Sequence, residues 1–155
     1  MHTGLLGFIG FAFACSLAIA DTQQEHVHNM AHGVMPFDMG KTTHVFVMND
    51  RGGIQRVVAK DPADKEQIVL IQKHLQHECK NFQAGNYSDP ATLHGSTMPG
   101  LADLQARSER VHVECHDLPN GAEIRFVTSD LHTITAVHRW FGAQLSEHGA
   151  DAKTE

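Results

Sequence analysis

His74, His77 and Glu78 fall together in the run His74-Leu75-Gln76-His77-Glu78, which is the clearest concentration of chemistry in the chain. On a helix the two imidazoles stand three apart on one face, beside the apolar stripe, and Glu78 stands one turn beyond His74. The order is not that of a zinc protease, which needs two histidines four residues apart with the glutamate between them, or the inverted arrangement. Two imidazoles three apart can still share a metal ion, with His94 and Met98 as further ligands from a later loop that also presents Asp89. A second ligand-rich stretch precedes them, in which His26, His28, Met30 and His32 interleave imidazoles with a thioether and Met35 and Met39 follow. Imidazole suits copper, zinc or nickel and thioether selects Cu(I), so the expected ion is copper, with zinc as the alternative. The competing reading makes the leader an ordinary polar segment and the helix pair a solvated flank. His132, His138 and His148 fall on a second helix, where His148 is placed to complement the dipole of the last turn.

No phosphate loop, dinucleotide fingerprint, nucleophile elbow or Cys-x-x-Cys-His haem site is present, so no local motif specifies an enzyme. Non-covalent haem binding through one axial histidine, with Met98 or another histidine opposite, is a further alternative, as is a structural partner protein.

The residues that position this chemistry begin with Asp61 to Gly85. Asp61 is placed to cap a helix, Pro62 to open it and Gly85 to end it, while Ile68, Ile71, Leu75, Cys79 and Phe82 recur at helical spacing as one apolar stripe. Alternation over His44 to Met48 and Ile54 to Lys60 predicts a hairpin before this helix. The same order returns after Arg110, with strands from Val111 to His116 and Ala122 to Thr128. A helix capped by Asp130 follows, with Ile134, Val137, Phe141 and Leu145 as its stripe and Gly149 at its end. Gly52 and Gly121 are separated by the same interval as Asp61 and Asp130, which marks two strand-strand-helix repeats. The expected fold is α+β, a two-layer sandwich of a four-stranded antiparallel sheet with both helices on one face. Val111, Val113 and Cys115 then face the helices. His112, Glu114 and His116 take the open face, beside His44, Phe46 and Met48, and that face, with Val127, is a candidate surface for homodimerisation. The segment from Asn86 to Gly100 reads as a long loop before a short helical turn.

With 155 residues, 41% apolar and 19% charged, the chain suits one domain over 43–149, preceded by a flexible His/Met-rich tether over 21–42 and followed by a disordered tail over 150–155. A net charge of -6 without any Lys/Arg cluster argues against a non-specific nucleic-acid binder. The 13 histidines make that charge sensitive to acid. Residues 1–20 read as a signal peptide: Gly4 to Ile19 carries no charge, and Ala18-Ile19-Ala20 precedes Asp21. A membrane anchor is the rival, but the run falls short of the ~20 residues needed to span a bilayer. A periplasmic or secreted protein follows, with no membrane association after cleavage. Cys15 leaves with the peptide. Cys79 and Cys115 remain, either as two small inward-facing side chains or as a disulfide; neither has the second, closely spaced cysteine of a closed zinc site.

The run Met35-Pro36-Phe37-Asp38, with Thr42-Thr43-His44, Lys60-Asp61-Pro62, Tyr87-Ser88-Asp89-Pro90, His94-Gly95, Met98-Pro99-Gly100-Leu101 and Trp140-Phe141-Gly142-Ala143-Gln144-Leu145, resembles a family of short exported bacterial proteins. The resemblance covers nearly all of the mature chain, and some members carry the name aspartate carbamoyltransferase. It implies export and, as an alternative to metal handling, carbamoyl transfer with His94 and His74 as acid, base or transition-state stabiliser. The chain lacks the two α/β domains and the Ser-Thr-Arg-Thr-Arg phosphate motif of carbamoyltransferases, which also work in the cytosol.

The exported protein is expected to begin at Asp21. Intact mass of material recovered from outside the cytoplasm checks this, and a mass that still includes 1–20 would refute it.

Overall fold

A computed structural model describes residues 25–27, 29–31 and 33–155; the leader over 1–20 and both His28 and His32 lie outside the described residues. Two antiparallel hairpins build the sheet. The first is β1 (Thr42–Asn49) and β2 (Gly52–Ala59), followed by α1 (Lys65–Gln83), α2 (Ser88–His94) and α3 (Leu101–Ala106). The second is β3 (His112–Leu118) and β4 (Gly121–Val127), followed by α4 (Leu131–His148) and a short β5 (Ala152–Thr154). The strand order is β3-β4-β2-β1-β5.

The two repeats join through β2 and β4, which pair antiparallel with Gly52 opposite Val127 and Val58 opposite Gly121. These two pairs are equivalent by the repeat and are related by a local two-fold axis. Both glycines are required by the crossing: a Cβ on Gly52 would collide with the carbonyl oxygen of Phe126, and one on Gly121 with that of Val57, which is the equivalent contact in the other repeat. Gly52 also has a φ of 121°, open to glycine alone.

Both long helices lie on one face. α1 packs on β3, β4 and β2, and α4 on β2, β1 and β5. The stripe Ile68, Ile71, Leu75, Cys79 and Phe82 is buried as its spacing requires. Phe82, Phe126, Trp140, Phe141 and Phe46 meet where the two helices share the sheet, with ring centroids 5.0 to 5.8 Å apart between neighbours. Among the described residues no helix is long and apolar enough to cross a membrane.

Several expectations are corrected. The sheet has a fifth strand, because residues 152–154 are not a loose tail but pair parallel to β1, tied by Arg56 Nη1 to Glu155 Oε2 at 2.7 Å and Lys60 Nζ to Asp151 Oδ1 at 3.3 Å. The tether is helical over 25–27, 29–31 and 33–34, and Val27 and Ala31 are buried in the core. α1 is capped by Asp64, which accepts from Gln67 N, while Asp61 and Pro62 form the preceding turn. Residues 88–94 form a helix rather than a loop. α4 begins at its expected cap, Asp130, which accepts from the backbone and hydroxyl of Thr133. Its buried stripe, however, is Thr133, Ala136, Val137, Trp140, Phe141, Gln144 and His148, with Ile134 and Leu145 only half-buried.

The facing of β1 is also reversed. His44 and Phe46 are 2% and 0% exposed and pair with Val57 and Gln55 on the helix side. Val45, Val47, Ile54 and Val127 take the open face with Arg56, Glu123 and Arg125. There Glu123 is buried between Arg56 Nε at 2.8 Å and Arg125 Nε at 2.7 Å. Phe46 is therefore not available to a second copy. Either phase of β1 supplies alternating apolar residues, and a one-residue slip exchanges the faces.

Cys79 and Cys115 form a disulfide that ties α1 to the outer strand β3, with Cα atoms 6.2 Å apart. Cys79 is fully buried, whereas Cys115 is exposed. Closing a loop with a sequence separation of 36 stabilises the fold by about 3 to 4 kcal/mol in the chain-entropy model. Reduction should therefore lower the urea midpoint, and unfolded, unreduced protein should titrate no free thiol from Cys79 or Cys115; two free thiols would rule the bridge out.

Candidate functional site

Between α1, α2, α4 and the sheet lies a cavity with about 40 Å³ open to the centre of a water molecule. α1 contributes His74, Leu75, Glu78 and Phe82, spaced so that His74 and Glu78 sit one turn apart beside the apolar stripe. α2 contributes Asp89 at its start and His94 at its end. β1 and β2 contribute His44, Gln55 and Val57, and α4 contributes Trp140 and Gln144. Val34, Met35 and Phe37 close the remaining side, with Phe37 edge-on to His74 at 5.5 Å.

The wall is apolar, yet five of its residues each bury a polar atom that makes no hydrogen bond within the protein: His44 Nδ1, Gln55 Oε1, Glu78 Oε1, Trp140 Nε1 and Gln144 Nε2. Each such atom costs about 1 to 3 kcal/mol unless something in the cavity meets it. This arrangement favours a polar occupant.

At the mouth, ligand atoms of His77, Glu78 and Asp89 lie within 4.8 Å of one another, and among the described residues this is the one group of three that could hold a metal ion as it stands. His77 is exposed, and its Nε2 lies 3.2 Å from Asn81 Nδ2. Glu78 is 6% exposed. Burial, and then the neighbouring Asp89, push its carboxyl up to about 8, so it keeps its proton at neutral pH.

Deeper in, three imidazoles from separate elements approach one another. His44 and His148 stack with ring centroids 4.6 Å apart, and His94 meets His148 edge-on at 5.0 Å. His94 Nδ1–H donates to Glu147 Oε2 at 2.6 Å. Burial, and then the nearby His74 and His94, push His44 down to about 3. Burial likewise takes His74 down to about 4 against the pull of Asp89, and holds His148 well below the usual imidazole range. His44, His74 and His148 are therefore neutral at pH 7.

The structure thus brings His74 and His94 to one cavity, sets the exposed His77 beside its lining residues Glu78 and Asp89, and leaves the other expected ligands elsewhere. Met98 is buried in the core and does not line the cavity. His26 and Met30 are exposed on the N-terminal helical turns. His148 does not complement the dipole of α4, because it is buried and neutral. His138 Nε2 lies 3.0 Å from the carbonyl of Asn49 and 2.9 Å from that of Gly52, bracing the first hairpin. Sequence reasoning missed His44, Glu147 and His148 as site residues and gave no role to Asp89. The one available signal was the continuation of the buried α4 stripe at four-residue steps through Trp140, Gln144 and His148.

Opposite pKa shifts set the pH dependence. His44, His74 and His148 have folded values below the ordinary 6.5, so the unfolded chain takes up protons first as pH falls and their contribution is lost below that value. Glu78, raised from 4.5 to about 8, has the other sign and loses stability as pH rises across that window. Below 6.5 the three histidines outweigh the one glutamate, so stability falls with falling pH; above 6.5 only Glu78 remains. Ion-free protein should therefore be most stable near pH 6.5, and Glu78→Gln should flatten the decline above it. Urea midpoints across pH 4.5 to 8 check this, and a continuous rise to pH 8 would contradict the protonation states given above.

Comparison of the chain with family models, with curated proteins and with solved structures finds no match, so its function has to be argued from the site.

Proposed function

We propose that this is an exported metal-binding protein that captures a borderline divalent ion, Cu²⁺ or Zn²⁺, at the mouth of the cavity through His77, Glu78 and Asp89. The observation that carries the reading is that these three side chains already present ligand atoms within 4.8 Å of one another. Glu78 adds the energetic reason. Its Oε1 is buried without a hydrogen bond, and its proton is held there by burial and by Asp89, so a cation can replace that proton and relieve both conditions. His74, one turn before Glu78, lines the same cavity.

The donor set decides the kind of ion. Imidazole with carboxylate suits divalent zinc or copper, whereas Cu(I) is favoured by thioether or thiolate ligands, and Met98 lies away from the cavity. The space, about 40 Å³, suits an ion with a few waters, each needing roughly 10 to 15 Å³, rather than a porphyrin. The signal-peptide pattern of residues 1–20 supports capture in the periplasm or outside the cell, a setting that suits the Cys79–Cys115 disulfide.

Calorimetric titration of Cu²⁺ and Zn²⁺ into tag-free protein spanning 21–155 tests the reading. At pH 7 binding at the mouth should release about one proton per ion, seen as a dependence on buffer ionisation heat. Glu78→Gln with Asp89→Asn should weaken this equivalent roughly 100-fold or more without loss of folding, and Met98→Leu should leave it unchanged. Unchanged affinity and proton release in the carboxylate double variant would overturn the proposal.

A further inference from the structure

An ion at the mouth accounts for the unmet oxygen of Glu78 but not for four other polar atoms. His44 Nδ1, Gln55 Oε1, Trp140 Nε1 and Gln144 Nε2 are buried without a hydrogen bond within the protein, and all four residues line the cavity. His44, Trp140 and Gln144 are 2%, 1% and 4% exposed, so bulk water does not serve them. Leucine or methionine would fill such positions without the desolvation cost.

The fold sets these groups on two facing surfaces. Pairing of β1 with β2 puts His44 opposite Val57 and Phe46 opposite Gln55, so His44 and Gln55 are diagonal neighbours, about 7 to 8 Å apart, on the helix side of the sheet. Trp140 and Gln144 stand one turn apart on the buried stripe of α4, which packs on the same two strands. Phe37, Leu75, Phe82 and Leu93 make the rest of the wall largely apolar. With about 40 Å³ open to the centre of a water molecule, and roughly 10 to 15 Å³ needed for each water, the space takes an occupant of about three or four non-hydrogen atoms.

The unmet atoms specify its chemistry. Trp140 Nε1–H and the Gln144 amide donate, so the occupant must carry an acceptor oxygen; Gln55 Oε1 accepts, so it must also carry an N–H or O–H. His44 Nδ1 takes either role according to its tautomer. Among the described residues no Lys or Arg lines the cavity, so an anion finds no counter-charge there. We propose that the cavity is a second binding site, for a small uncharged organic molecule with a carbonyl or hydroxyl oxygen next to an N–H or O–H donor, held by His44, Gln55, Trp140 and Gln144. This goes beyond metal capture and uses none of the mouth ligands. The terminal amides of Gln55 and Gln144 turn on flexible stems to meet the occupant.

Trp140 is the single tryptophan of the chain, so its indole N–H gives one assignable resonance. Tag-free protein spanning 21–155, kept metal-free by a chelator at pH 7, is titrated with acetamide and separately with ethylene glycol, and followed by proton–nitrogen correlation spectra. At least one probe should saturate with a dissociation constant below about 10 mM and move the indole proton downfield as Nε1–H gains an acceptor. The tighter of the two identifies the oxygen group. Acetate, close to acetamide in size and shape but charged, should bind at least about 10-fold more weakly. Gln55→Met with Gln144→Met, which keeps side-chain length and removes both amides, should abolish the shift, while the urea midpoint of the ligand-free protein holds or rises because two unmet polar groups are gone. An indole proton unmoved by either probe would overturn the site and leave the cavity to ordered water. Acetate binding as tightly as acetamide would overturn the uncharged class of ligand, and a lower midpoint in the methionine variant would overturn the reading of the amides as unmet. No metal is present in these titrations, so their result is independent of the mouth site, whose failure is read from the calorimetry.

Discussion

The pairing of β2 with β4 is the contact on which the rest of the molecule depends. A hairpin with one amphipathic helix is too small to cover its own apolar surface. Antiparallel pairing of the second strand of each repeat makes one continuous sheet and sets both helices side by side on the same face. Gly52 and Gly121 make that pairing possible, because a side chain at either would meet the neighbouring carbonyl oxygen. Phe126 and Val57, whose carbonyls those are, turn their own side chains into the core beneath the helices.

The local two-fold symmetry fails where the chemistry lies. In the first repeat the helix is followed by α2, which inserts Asp89 and His94 into the gap beside α1; in the second it is followed by β5, which closes the edge of the sheet. Polar side chains then occupy positions that a core would fill with leucine. Glu78 sits beside Cys79 on the buried side of α1, and Gln144 and His148 continue the Trp140 stripe on α4. The unmet polar atoms of Glu78 and Gln144 lower stability, and placing them at one cavity is the pattern of a site kept for binding rather than for packing.

Burial also decides the charge state of that cavity. Imidazoles that lose solvent give up protons and a carboxyl that loses solvent keeps its own, so His44, His74, His148 and Glu78 are all neutral at pH 7. The apolar wall from Phe37 to Trp140 therefore does not have to solvate four charges. The same neutrality leaves a nitrogen lone pair on His74 and one exchangeable proton on Glu78, the two conditions a metal ion at the mouth requires.

The elements themselves were legible in the chain. The three- and four-residue steps from Ile68 to Phe82, the cap at Asp130, the glycines at 85 and 149 and the recurrence of strand, strand and helix each record a local preference that the tertiary structure keeps. His74, His77 and His94 also stand out by type and spacing, and the first and last of them line one cavity. What only the tertiary structure decided is which face of an element meets which neighbour. β1 offers Val45 and Val47 on one face and His44 and Phe46 on the other, and pairing with β2 under α4 chose the second for the core. The conjunction of His44, His94, His148 and Glu147 arises from segments far apart in the chain, so no window of sequence contains it. Periodicity fixes the residues that share a face; long-range strand pairing and helix packing fix what that face touches, and for histidine, which is stable both in water and in a core, only the second tells the two apart.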